Sequence, residues 1–317
     1  MAINQFMRLA LKALSYPDID IRKTYQIQRS LQTLKGPKLP KQKQYCQDCT
    51  LYVDNRSILT RIYLPANVPH ANTLLFFHGG GWVTESIDTY HKVCTALANA
   101  TKHRVVSVEY RLAPEHPFPQ GLEDCYAVAK QLFLFPQRFG FSPGKITLIG
   151  DSAGGNLAAA VSLKARDEGD FEVPRQILIY PATYYDHSPA SPYRSVVDNG
   201  SDYLLTSKRI CEYIDLYKRS DDDLTNPYFA PLTASHFSHQ PDTLMITAEF
   251  DPLRDEGEAY AQRLKEAGNR AAVYRMKDAL HGFLGLGTRY VHVRKAHELI
   301  VLFLTRSEQN ESEKPLA

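Results

Sequence analysis

The chain has 317 residues, 44% of them apolar, which suffices for one large α/β domain or two small ones. The formal net charge of +2 is too close to balance to favour nucleic acid or an anionic membrane as a partner. Five cysteines are few and odd in number, which favours a reducing compartment, the cytoplasm, over a disulfide framework.

The sequence predicts neither a bound metal nor a membrane span. Cys46 and Cys49 form a C-x-x-C pair, but no second Cys or His pair at zinc spacing accompanies them, so we interpret both as ordinary thiols. No run approaches the roughly 18 apolar residues of a transmembrane helix. Arg8 and Lys12 interrupt the apolar N-terminus, so we expect no signal peptide. Residues 3–14 carry apolar side chains at helical spacing, which predicts a helix packed on the protein or, alternatively, on a membrane surface.

Short apolar segments alternate with helical patterns along most of the chain. The predicted elements are a helix near 21–34, a β-hairpin of 51–53 and 58–64, strands at 73–77, 104–110, 146–149, 176–180, 244–248 and 272–276, and helices at 90–100, 122–135, 153–167, 255–267 and 293–304. This alternation predicts an α/β fold, a mostly parallel sheet of about eight strands with helices on both faces and antiparallel strands only at its start. Such sheets place their chemistry at the carboxyl ends of the strands.

One long stretch interrupts the alternation. More than sixty residues separate the strands 176–180 and 244–248, and they carry aromatic and polar clusters with one predicted helix at 207–218. Long loops in compact domains are usually functional, so we predict that 184–225 forms a helical cap together with residues 1–50. The α/β core then consists of 51–183 and 226–317. Alternatively, this stretch is a long surface loop without a function.

The stretch 146–160 has the pattern of an apolar strand, a tight turn and an alanine-rich helix. Its turn holds a serine between two glycines in the pattern G-x-S-x-G, formed by Gly150, Ser152 and Gly154. The positions beside such a serine must be small because strand and helix meet there, and the helix N-terminus favours negative charge. Ser152 is therefore the predicted nucleophile, although the pattern alone also fits an ordinary strand-to-helix turn.

A serine hydroxyl needs a base to remove its proton and an acid to orient that base. His281 follows the last predicted strand, the position expected for the base, and Asp251 follows the strand before it and is the predicted acid. Three neighbouring carboxylates are rivals for the acid role: Glu249, Asp255 and Glu256. The first of these points to the other side of its strand, and the other two lie in the first turn of the next helix, where carboxylates commonly cap.

Backbone donors for an oxyanion follow the strand 73–77, where residues 78–82 are HGGGW. The glycines expose N–H groups, so the predicted oxyanion hole consists of Gly79, Gly80, Gly81 and Ala153. No G-K-[ST] follows and no dinucleotide-binding glycine pattern is present, so neither a phosphate cradle nor a cofactor is expected.

The substrate pocket is assigned to three residues near these motifs. Trp82 lines the pocket or, alternatively, lies in the core. Asp151, beside the nucleophile, and Tyr184, at the start of the cap, are assigned to the pocket as well.

The combined motifs resemble the hormone-sensitive lipase family of α/β-hydrolases, in its bacterial esterase branch. The matching pieces are HGGGW (78–82), YRLAPEHPFP (110–119), GDSAGGNLAA (150–159), YPAT (180–183), DPLRDEG (251–257) and HGF (281–283). They cover nearly all of 70–285 in the family's order. Residues 1–50 and the cap match no such motif.

The resemblance implies a triad of Ser152, Asp251 and His281, and an oxyanion hole from Gly80, Gly81 and Ala153. It also implies hydrolysis of carboxylic esters with small or medium acyl groups, with a small-molecule ester as the partner; a homodimer is an open expectation.

Two other functions are open at this point. A peptidase or amidase could use the same triad. A non-catalytic receptor is the second, since the plant gibberellin receptor resembles the family but lacks a functional triad; the presence of His281 favours an enzyme.

Overall fold

The computed structural model describes residues 19–35, 46–53, 55–66, 68, 72–139 and 146–312, without the side chains of 33–35 and 307–312, so the predicted helix over 3–14 lies outside the described part. Eight strands form a single sheet: β1 (Cys46–Val53), β2 (Arg56–Tyr63), β3 (Thr73–Phe77), β4 (Arg104–Val108), β5 (Ile146–Asp151), β6 (Arg175–Ile179), β7 (Asp242–Phe250) and β8 (Ala271–Leu280). Their order across the sheet is β1-β2-β4-β3-β5-β6-β7-β8.

The sheet is antiparallel at one side and parallel elsewhere. β2 pairs antiparallel with both β1 and β4, and every other neighbouring pair is parallel. This confirms the predicted fold class. Because parallel strands end at the same edge, the segments that follow β3, β5, β7 and β8 meet at one rim of the sheet.

Helices cover both faces of the sheet. They are α1 (Ile21–Lys35), α2 (His91–Thr101), α3 (Gln120–Leu134), α4 (Ala153–Glu168), α5 (Arg194–Asp198), α6 (Ser207–Tyr217), α7 (Arg254–Glu266) and α8 (Val291–Ser312). On one face α3 packs on α4, which lies on β5 and β6, and on the other face α2 packs on α8. β5 is buried at every residue, which explains its continuous apolar pattern.

The predicted strand lengths are wrong at the two edges of the sheet. β1 begins at Cys46, five residues before the predicted start, and β8 continues to Leu280 instead of ending near 276. Both are edge strands with many exposed side chains, including Tyr52 at 83% exposure. An edge strand needs no regular apolar alternation, so its polar residues concealed it in the sequence.

The C-x-x-C pair lies on β1. Side chains three residues apart on a strand point to opposite faces, so Cys46 and Cys49 do not converge. Within the described ranges, no group of three or more His, Cys, Asp and Glu side chains could hold a metal ion. None of the helices in this part of the chain combines the length and the apolar character needed to cross a bilayer.

Helix α1 contacts two parts of the molecule that are distant in sequence. At its first residue, the Ile21 N–H donates to the buried carboxylate of Glu212 in α6, at 3.0 Å. In its middle, Arg29 donates from Nε to the Val83 carbonyl and from Nη2 to the Ala113 carbonyl, both at 2.6 Å. Helix α1 thereby connects α6 with the loop that follows β3.

We expect Arg29→Ala to lower the free energy of unfolding by about 2 kcal/mol, because two carbonyl groups of buried residues lose a charged donor. The matched control is Arg22→Ala on the same helix. Arg22 forms its ion pairs with Asp20 and Asp215 at an exposed surface, so its removal should change stability by less than about 0.5 kcal/mol. Urea unfolding measures both variants, and equal losses would contradict the anchoring role of Arg29.

Candidate active site

The corner between β5 and α4 holds Ser152 in a strained backbone conformation, with φ 55° and ψ −121°. A side chain at Gly150 would overlap the backbone of Gly154, and one at Gly154 would overlap the carbonyl of Phe77 in β3. Glycine is therefore required at both positions by close backbone packing. The strain is of the kind found at functional sites, and it lifts the serine clear of the strand at the start of a helix.

Three side chains from different loops form one hydrogen-bonded chain. Ser152 Oγ lies 2.9 Å from His281 Nε2, and His281 Nδ1 lies 2.7 Å from Asp251 Oδ2. Asp251 is fully buried, and its other oxygen accepts from the Leu253 N–H at 2.9 Å. The His281 side chain is 11% exposed and packs on the ring of Tyr180. The structure thus brings together the three predicted triad residues.

The rival carboxylates have other partners. Glu249 accepts a hydrogen bond from the Asp278 N–H at 2.7 Å, and Asp255 accepts one from the Ser195 N–H at 2.8 Å. Glu256 contacts His187 Nε2 at 2.7 Å. Only Asp251 among the four contacts His281 in the described part of the chain.

The loop after β3 lies beside the serine. Gly80 and Gly81 have positive φ values of 105° and 61°, and both line the same cavity as Ser152 and Ala153. A Cβ atom on Gly81 would lie 2.5 Å from the ring of Tyr213, so this glycine allows helix α6 to approach the loop. The geometry places the backbones of both glycines at the cavity wall.

The prediction that Gly79 is an oxyanion donor is wrong. Its N–H donates to Asp151 Oδ1 at 3.0 Å, so this donor is already used, and the residue is buried away from the cavity lining. The partner lies 72 positions further along the chain, which no local glycine pattern can indicate.

Asp151 is a buried carboxylate that lines the cavity and holds the loop. Besides Gly79, it accepts from Tyr90 Oη at 2.9 Å and Tyr180 Oη at 3.2 Å. Burial raises the pKa of Asp151 to about 6, although these donors and the nearby His281 act in the opposite direction. The sequence assigned Asp151 to the pocket without indicating either tyrosine.

The cavity beside Ser152 has a volume of about 440 Å³. Trp82 lines it and stacks on Tyr217 with ring centroids 4.5 Å apart, so the two expectations for this tryptophan, pocket and core, both hold. Tyr184 does not line the cavity among the described residues; its ring packs on Tyr185 and Tyr193 instead.

Further lining residues were missed by the sequence reasoning. The loop after β3 and the start of α2 contribute polar ones, namely Glu85, Thr89 and Lys92, and the region of the predicted cap contributes Leu205, Ile210 and Tyr213. The first group could have been found because it lies close in sequence to HGGGW. No feature of the sequence indicated the second group.

Comparisons with known proteins agree with this geometry. The profile of a family described as alpha/beta hydrolase fold matches residues 74–285. An arylesterase of Saccharolobus solfataricus is 37% identical over 240 residues, which cover 75% of this chain and 77% of that protein. An ethyl acetate hydrolase of Pseudomonas putida is 32% identical over 261 residues, which cover 81% and 80%. A solved hyperthermophilic esterase from Pyrobaculum calidifontis has a TM-score of 0.82 and 35% identity, covering 95% of this chain and 97% of that chain.

The similarity extends well beyond the short motifs around the serine. The family match begins at the second residue of β3 and continues past His281, so it includes every segment that reaches the rim of the sheet. The resemblance found in the sequence is confirmed: the chain belongs to the hormone-sensitive lipase family of α/β-hydrolases, in its bacterial esterase branch.

Proposed function

We propose that this chain is a serine carboxylesterase that hydrolyses esters with short to medium acyl groups through an acyl-enzyme on Ser152. The observation that carries the proposal is the unbroken hydrogen-bonded chain from the Ser152 hydroxyl through His281 to the buried Asp251, at the wall of a cavity. Relatives named arylesterase and ethyl acetate hydrolase support an ester substrate, and the second name supports a short acyl group.

In the first half of the reaction, His281 Nε2 removes the proton of Ser152 while Oγ attacks the ester carbonyl carbon. Asp251 accepts a hydrogen bond from Nδ1, which fixes the tautomer and stabilises the imidazolium that forms. The negative charge on the former carbonyl oxygen is stabilised by the N–H groups of Gly80, Gly81 and Ala153; one such donor contributes about 3 kcal/mol in the transition state.

In the second half, the protonated His281 donates its proton to the leaving alcohol, and the acyl group remains on Ser152. A water molecule then takes the alcohol's place. His281 removes a proton from that water, which attacks the acyl carbon, and the carboxylic acid leaves as Ser152 regains its proton. The exposed part of His281 gives water access to this step.

Asp151 is proposed as a positioning residue for residues 78–82, the loop after β3, which we call the oxyanion loop. Its carboxylate holds the Gly79 N–H on one oxygen and two tyrosine hydroxyls on the other, so it fixes the residue just before Gly80. A buried carboxylate without such donors would be far less stable in its ionised form.

We further propose that helix α1 and residues 184–225 form the cap and that the protein acts in the cytoplasm; residues 46–50, which the sequence assigned to the cap, lie in β1 of the sheet. The contact between α1 and α6 and the placement of Leu205 and Ile210 in the cavity lining support the cap. The five cysteines are all free thiols, which supports a reducing compartment. A homodimer stays a prediction.

We expect Ser152→Ala to lower kcat for p-nitrophenyl butyrate at least about a thousandfold, because no other hydroxyl occupies the position facing His281 in the described residues. Wild-type protein should also be labelled by a fluorophosphonate, and the variant should not. Thermal unfolding of both proteins controls for folding. Retention of wild-type activity by the variant would overturn the role assigned to Ser152.

Asp151 gives a prediction about pH. Because its pKa is about 6 in the folded protein and 3.8 for an ordinary aspartate, ionising it destabilises the folded state as the pH rises through 6. Asparagine does not ionise. The free energy of unfolding of Asp151→Asn, taken relative to wild type, should therefore increase by about 2 kcal/mol between pH 4 and pH 7.5. Urea unfolding at the two pH values measures it, and a difference independent of pH would contradict the burial of an ionising carboxyl.

A further inference from the structure

One segment of the cavity lining carries charges that the proposed mechanism does not use. Glu85 and Thr89 lie between the oxyanion loop and α2, and Lys92 lies in the first turn of α2; we call residues 85–92 the polar segment. Apart from Ser152, His281, Asp151 and two tyrosines, the rest of the lining is largely apolar and includes Trp82, Ala182, Leu205, Ile210 and Leu253. A cavity of this composition is suited to a substrate with one apolar part and one polar part.

The backbone of Glu85 is strained. Its φ of 71° lies in the left-handed region, which glycine adopts freely and residues with a Cβ atom rarely do. A glutamate at this position therefore has an unfavourable backbone conformation. Its side chain packs near Gly80, because a Cβ atom placed on that glycine would lie 2.7 Å from Glu85 Cγ. Strained residues of this kind cluster at ligand-binding sites.

The carboxyl group of Glu85 is held by the cap helix α1. Gln32 Nε2 donates to Glu85 Oε1, and the Glu85 N–H donates back to Gln32 Oε1 at 3.3 Å. A carboxylate can accept about four hydrogen bonds, so acceptor positions remain for a ligand. Burial raises the pKa of Glu85, although a hydrogen bond with the Thr89 side chain acts in the opposite direction, so a further donor would also stabilise the ionised form.

Lys92 supplies the complementary group. It lies in the first turn of α2, its residue is exposed, and it lines the same cavity as Glu85. The polar segment therefore reaches solvent, which suits the part of the ester that must leave first. An ammonium group only donates hydrogen bonds and a carboxylate only accepts them, whereas a hydroxyl does both.

We propose that Glu85 and Lys92 select esters whose alcohol part carries free hydroxyl groups, that is, esters of a polyol. This inference rests on the proposed esterase function and adds the class of alcohol to it. Hydroxyl groups of the polyol donate to Glu85 and accept from Lys92, while the acyl group contacts the apolar lining. An alcohol without hydroxyls leaves the half-buried carboxylate of Glu85 without these donors, so the site discriminates against it.

The test compares two esters that differ only in hydroxyl groups: 2,3-dihydroxypropyl acetate and propyl acetate. Both give the same acetyl-enzyme, so kcat/KM reports recognition of the alcohol part even where deacylation limits kcat. We expect wild-type protein to show a ratio of kcat/KM, dihydroxypropyl over propyl, of about 10 or more. A pH-stat measures the acid released from both.

Variants at position 85 assign the selectivity to this side chain. Glu85→Gly removes the carboxyl and relieves the strained backbone, so the midpoint of thermal unfolding should stay the same or rise, while the ratio falls to about 1. Glu85→Gln keeps an acceptor oxygen and should give an intermediate ratio. The matched control is Glu115→Gln, because Glu115 also contacts α1, through Arg29, but does not line the cavity; its ratio should equal that of wild type.

Two results would overturn the proposal. One is a wild-type ratio near 1. The other is an equal loss of kcat/KM for both esters in Glu85→Gly, which would mean that Glu85 only positions Gly80. Failure to hydrolyse either ester, together with no labelling by a fluorophosphonate, would instead count against the serine mechanism itself.

Discussion

The close backbone contact between β3, β5 and the start of α4 is the constraint on which the rest of the site depends. Gly150 and Gly154 have no room for a side chain, because the strand and helix backbones touch there. That contact sets the position of Ser152 between them, and it also brings the end of β3, with its glycine loop, next to the nucleophile. The serine and the glycine loop after β3 are therefore aligned by the same backbone packing.

Around this contact the molecule concentrates features that oppose stability. Ser152, Trp82 and Glu85 all adopt positive φ values, and Asp151 is a carboxylate enclosed among tyrosines. Each is maintained by surroundings that are themselves well packed, such as the buried strand β5 and the ring stack of Trp82 on Tyr217. Proteins commonly tolerate backbone strain and buried charge at a functional site because the regular structure around that site stabilises the fold.

The sequence predicted the features that local chemistry determines. Ser152 was found because glycine is required two residues before it and two residues after it, and Asp251 and His281 because each follows a strand with a recognisable pattern. The errors lie where a residue's role depends on side-chain contacts that the sequence pattern does not show. Gly79 was misassigned because its donor is used by Asp151, and Tyr184 because its ring packs on neighbouring tyrosines. The sequence analysis did not identify Glu85, because the local sequence predicts neither its positive φ nor its contact with Gln32.

The position of β3 between β4 and β5 has a consequence for how the protein is made on the ribosome. β3 is synthesised before both of its neighbours, so its hydrogen-bonding edges stay unpaired while the intervening residues emerge. The histidine comes later still, from the end of β8 at the far edge of the sheet. Such pairing between distant segments is slow and leaves nascent chains prone to aggregation. The nucleophile consequently has no base until residue 281 has been translated and β8 has paired with β7.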